Sequence, residues 1–139
     1  MGAVKVEIRL ENHIDRVNAE QGLLPPSQVR AMPLQGLVDT GAVMNMFPRD
    51  VVEYLGVPIG DSVIVTLADE RREEMPMADG IHLEVAGRRV ALPCLVGPPQ
   101  SEALLGQVLL EVLDLVVDCP GRRLLPNPAS PIYPSLSLK

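Results

Sequence analysis

The chain has 139 residues, a formal net charge of −6 and 47% apolar residues, but no Trp and only Tyr54, Tyr133 and Phe47 as aromatics. That length suits one domain with a core built from Val, Leu, Ile and Met. The twelve basic residues are scattered or in short pairs, so no stripe or aromatic platform for nucleic acid is expected, and the longest apolar runs fall far short of a membrane span.

Residues 1–10 alternate polar and apolar positions instead of forming the continuous apolar stretch of a signal peptide, so a soluble, cytoplasmic protein is the expectation. Within them, Val4, Val6, Ile8 and Leu10 share one face against Lys5, Glu7 and Arg9, the period-2 pattern of a half-buried strand. Glu11 to Arg30 is polar and carries Pro25-Pro26, which predicts a loop with at most a short strand near Val29. Leu34 to Val38 predicts a strand that ends at Asp39. A carboxylate at the end of a buried strand must be hydrogen-bonded, paired or neutral.

Pro48 to Leu55 predicts a two-turn helix, with Pro at its start, Asp50 and Glu53 near its positive end and Gly56 as its stop. Two hairpins follow: Val63–Leu67 with Met75–Met77 around the charged stretch 68–74, and Ile81–Val85 with Arg89–Leu92 through Ala86-Gly87. Ala78-Asp79-Gly80 then falls in a hairpin connection, and His82, alternating with Ile81 and Leu83, faces solvent. His13 lies in a polar loop with no evident partner.

After the Gly97-Pro98-Pro99 turn come Leu104-Leu105-Gly106, a short helix over Gln107–Leu113 and a last buried strand, Leu115–Val117. From Pro120 five prolines predict an extended tail. Cys94 and Cys119 are far apart and lack ligand spacing, which predicts free buried thiols, and with only two histidines neither a metal site nor another cofactor is expected. Met44, Met46, Met75 and Met77 are read as core filling, and Asp114 and Asp118 as caps or surface charges.

Asp39-Thr40-Gly41 has the makings of a catalytic loop: a carboxylate to move protons on a water, a hydroxyl to lock the loop, and a glycine that allows close backbone approach. With the lead-in Gly36-Leu37-Val38, the following Ala42, the Pro-initiated helix ending in Leu55-Gly56, and Leu104-Leu105-Gly106 before the last helix, the sequence resembles the retroviral-type (retropepsin-like) aspartic protease family. The resemblance implies a mainly β, closed acid-protease barrel with one or two short helices, one lobe per chain, over residues 1–125, followed by a Pro-rich tail, 126–139.

It also implies an aspartic endopeptidase whose catalytic Asp39 pairs with its own copy across a homodimer. Thr40, Gly41 and Ala42 would support the loop. Ala68, Asp69, Glu70 and Arg71, at the flap tip, with Leu104, Leu105 and Gly106, would bind a peptide or protein substrate. Val43, where many relatives carry a small polar residue or an acid, and a flap tip without glycine motivate the alternative of a weak or inactive peptide-binding or dimerisation module.

Overall fold

A computed structural model of the chain describes residues 3–138; Met1, Gly2 and Lys139 lie outside the described residues. The first strand, β1 (Lys5–Asn12), buries Ile8 and Leu10 and exposes Lys5, Glu7 and Arg9, following the alternation in its sequence. It is followed by β2 (Ala31–Val38), β3 (Met46–Pro48), β4 (Ile59–Thr66), β5 (Arg72–Val85), β6 (Arg88–Gly97) and β7 (Ala103–Leu105). These seven strands form one sheet in the order β1-β2-β7-β3-β6-β5-β4, and β1 also pairs with β5. Six strands therefore close on themselves as a barrel, with β4 outside as a free arm on β5.

The barrel interior is aliphatic, with Leu10, Ile81, Leu83, Leu105 and Leu109 fully buried around Phe47, the chain's only phenylalanine. Met75 is buried and Met44, Met46 and Met77 are half-buried at its margin. The mainly β barrel expected from the resemblance is thus observed.

Three α-helices accompany it among the described residues, α1 (His13–Glu20), α2 (Arg49–Tyr54) and α3 (Gln107–Val112), with a single 3-10 turn at Pro26–Gln28. The first corrects the reading of 11–30 as a loop. Its anchors are polar and so leave no apolar stripe: the Asn12 side chain accepts from the Asp15 amide at 3.0 Å, and Asp15 is its only buried residue. Asp15 receives the Arg30 amide and two guanidinium bonds, while Glu11, 4% exposed, takes two bonds from Arg16. Asn12 also donates to the Leu55 carbonyl at 2.9 Å, tying the start of α1 to the end of α2.

Several other expectations are corrected. β5 is one long strand shared by both hairpins, and Ala78-Asp79-Gly80 lies within it at a register shift; Gly80, with φ +129°, supplies the irregular backbone there. The Ala86-Gly87 turn is as expected, both residues having positive φ. His82 is half-buried and stacked on His13, because α1 covers the strand face that a loop would have left open. Both thiols are free, but only Cys94 is buried, where desolvation pushes it up to about 12; Cys119 is exposed in a turn.

Leu115–Val117 is not the last strand. β8 (Leu115–Asp118) pairs with β9 (Arg123–Pro126), inside the segment expected to be an extended tail. Beyond β9, Arg88 donates to the carbonyls of Leu113, Asp114 and Ser130, and the Asp114 carboxylate accepts from Asn127 and the Ser135 amide. Residues 131–138 are exposed. Among the described residues no helix is long and apolar enough to cross a membrane.

The polar corner around α1 makes the fold acid-sensitive. Its hydrogen bonds to Arg30 hold the Asp15 carboxyl below its ordinary 3.8, and the bonds from Arg16 hold Glu11 below 4.5. Both folded values are depressed, so the stabilisation is present above the unfolded values and is lost as pH falls through the folded ones. Denaturation followed by circular dichroism from about pH 4.5 to about pH 2.5 is expected to show falling stability, with a smaller fall over that window in Asp15→Asn.

Candidate active site

β2 carries the chain to Asp39. Gly36, Leu37 and Val38 pair antiparallel with β1 and parallel with Ala103, Leu104 and Leu105 of β7, so the strand is held on both sides up to its last residue. Gly36 is required by this packing, since a Cβ there would lie 2.8 Å from the Leu105 side chain. At the end of the ladder the Asp39 amide donates to the Leu105 carbonyl at 2.9 Å.

The chain then turns tightly. The Ala42 amide bonds the Asp39 carbonyl at 3.1 Å, and the Gly41 amide donates to Asp39 Oδ1 at 3.0 Å, answering the need of this carboxylate for a partner. Asp39 is half-buried, Thr40 and Gly41 are exposed, Ala42 is half-buried and Val43 is 73% exposed. The carboxylate therefore sits in an open loop with one oxygen held by its own backbone. Among the described residues the other oxygen has no hydrogen-bond or ion-pair partner.

α3 completes the loop. It has no side-chain cap, and its first amides would be orphaned. Gln107 instead donates to the Ala42 carbonyl at 2.7 Å and Val108 to the Val43 carbonyl at 2.9 Å, so the catalytic-type loop caps the helix with its own backbone. Between them, the Gly106 amide donates to Asn45 Oδ1 at 2.8 Å, a fully buried contact, while the Asn45 carbonyl receives the Leu95 amide at 2.9 Å. A Cβ on Gly106 would lie 2.5 Å from the Met44 carbonyl oxygen, so only glycine permits this crossing.

The fold thus brings together Asp39, Thr40, Gly41 and Ala42 with Leu104, Leu105 and Gly106. Leu105 and Gly106 lie buried beneath the loop, whereas Leu104 is half-buried. Ala68, Asp69, Glu70 and Arg71 form the exposed turn at the end of the β4–β5 arm, closed by bonds between Leu67 and Arg71 and from Glu70 to Leu67. Glu70 takes the left-handed φ of +67° that glycine would favour, and Arg71 is paired with Asp69 at 2.6 Å. Among the described residues no hydrogen bond or ion pair joins this tip to the Asp39 loop.

Asn45 is a site residue that the motif pattern of the sequence does not single out. Its signal was there, an amide side chain inside the otherwise apolar Met44-Asn45-Met46-Phe47, although only the fold reveals that it grips Gly106. No group of three or more His, Cys, Asp or Glu able to hold a metal ion occurs among the described residues.

A family model described as aspartyl protease matches residues 27–109, more than half of the chain and all of the loop and its β7–α3 clasp. The chain belongs to the aspartyl protease family. Among curated proteins none matches it. Among solved structures it is similar to EIAV protease complexed with the inhibitor HBY-793, with 21% identity and a TM-score of 0.47 over 59% of this chain and 78% of that one. A likeness of that size carries no functional argument; the closed barrel rests on the strand pairing described above.

Asn45→Leu keeps the branched shape but is bulkier and leaves the buried Gly106 amide unsatisfied, at an expected cost of at least about 1–3 kcal/mol. Gly106→Ala drives a methyl into backbone and is expected to cost at least as much. Chemical denaturation of both variants, with amide exchange at Gly106 and Gln107, checks the two effects.

Proposed function

We propose that this chain is an aspartic endopeptidase acting as a homodimer, with residues 1–125 as the protease domain and 126–139 as its tail. What supports this most directly is the Asp39 loop: a carboxylate held open to solvent by a backbone clasp, in a chain of the aspartyl protease family. The reaction needs two carboxylates sharing one proton. One takes a proton from a water as it attacks the peptide carbonyl, and the other, protonated, donates to the carbonyl oxygen.

One chain supplies a single Asp-Thr-Gly, and Asp79, the nearest imitation, is exposed in the β5 bulge. The second carboxylate is therefore Asp39 of another copy across a two-fold axis, with Thr40 of each chain bracing the opposite loop. Ala68 to Arg71 would close over an extended peptide, and the surface at Leu104 would contact it.

A second reading, a peptide-binding or dimerisation module of low activity, draws on Val43. This exposed apolar side chain stands four residues past Asp39 and offers a substrate no hydrogen bond.

Cleavage of an unstructured peptide library tests the two readings together. The wild type is expected to cut with a bell-shaped pH profile, Asp39→Asn to lose about 10²–10⁴-fold in rate, and activity per chain to fall on dilution as dimers dissociate. Binding without cutting by the wild type favours the second reading. Equal cutting by Asp39→Asn excludes the first.

A further inference from the structure

His13 and His82 are the chain's only histidines, and the fold stacks them with ring centroids 6.0 Å apart and planes within 6° of parallel. His13 opens α1. His82 lies in β5, opposite Glu11 of β1 and Ala91 of β6. Both ring nitrogens of His82 and Nδ1 of His13 are buried, and among the described residues no group is hydrogen-bonded to them. A protonated imidazole presents two N–H donors, and neither nitrogen of His82 has a hydrogen-bond acceptor bonded to it among the described residues.

The surrounding charges are unfavourable to a further cation. From α1 come Arg16 and the positive end of the helix itself, and from β6 comes Arg89. Glu11 of β1 is the one acid directly opposite, but it already takes 2.8 and 2.6 Å bonds from Arg16 and a 3.3 Å bond from Arg9. Asp15 of α1 is occupied by Arg30, and Glu20 acts on Arg16. Glu84, on the same face of β5, stands in register with Arg9 of β1 and Arg89 of β6.

We propose that the His13–His82 stack is a pH-sensitive latch for α1: the helix is docked on β5 while His82 is neutral, and protonation of His82 loosens it. Burial, the main cause, together with Arg89, His13 and Arg16, pushes His82 below its ordinary 6.5, against the pull of Glu11. The folded value is the lower one, so the docked state binds fewer protons. Its stability is full above about 6.5 and declines as pH falls below that. Asn12, which caps α1, also holds the end of α2, so loosening of α1 reaches the helix that follows the Asp39 loop. The latch does not depend on Asp39 chemistry.

Two histidines make the test direct. In the full chain, the imidazole signals are followed by NMR from about pH 8 to about pH 4.5, and amide exchange of residues 15–20 is compared at about pH 7.5 and about pH 5 after correction for its intrinsic pH dependence. The expected result is a His82 midpoint below 6.5 and a severalfold greater loss of protection in α1 than in the barrel strands. That excess loss should vanish in His82→Phe, which keeps a flat ring without a titrating group, and in His82→Gln, which guards against a packing artefact. A midpoint at or above 6.5, or the same excess loss in both variants, overturns the proposal.

Discussion

The site depends on one crossing. Residues 39–45 pass over the start of α3 at a distance that Gly106 alone allows, and four main-chain amides, those of Asp39, Gly106, Gln107 and Val108, are satisfied there by bonds between the two segments. Because α3 has no side-chain cap, loop and helix complete each other, so neither can shift without orphaning buried groups. That mutual dependence is what fixes a carboxylate in an otherwise open loop. It makes Asn45 a structural counterpart to Asp39: one end of the loop presents the acid, and the other is nailed down by an amide.

The barrel supplies the rest of the rigidity. β2 and β7 run parallel under the loop, and β3, only three residues long, is held by β6 on one side and β7 on the other. Phe47 within β3 fills the centre of the core, coupling the far end of the loop to the whole interior. By contrast, the β4–β5 arm beyond the barrel is mostly exposed and carries charges at its tip.

Away from the site, polar contacts perform tasks that apolar packing usually performs. Asn12, Glu11 and Asp15 are buried, and each is satisfied, through Leu55, Arg16 and Arg30 respectively. They dock α1, whose only buried residue is an acid. Arg88 does the same near the C-terminus, gathering three carbonyls so that the chain after β9 lies against the end of α3. A Leu substitution at such positions could not hold the same geometry, because the contacts are directional.

The sequence by itself determined the parts governed by local rules. The alternation in β1, the Ala86-Gly87 turn and the Pro-led α2 were legible because strand period and turn chemistry act over a few residues, whereas the partnership of the Asp-Thr-Gly loop with the distant Leu-Leu-Gly was implied only by the family resemblance. Only the tertiary structure decided the remainder: that 13–20 is a helix, that His13 and His82 meet, that β5 is continuous through Asp79-Gly80, and that Asn45 grips Gly106. Each of these depends on a directional contact between residues far apart in the chain or on shared strand pairing. Hydrophobic periodicity records which face is buried, not which polar partner arrives to meet it.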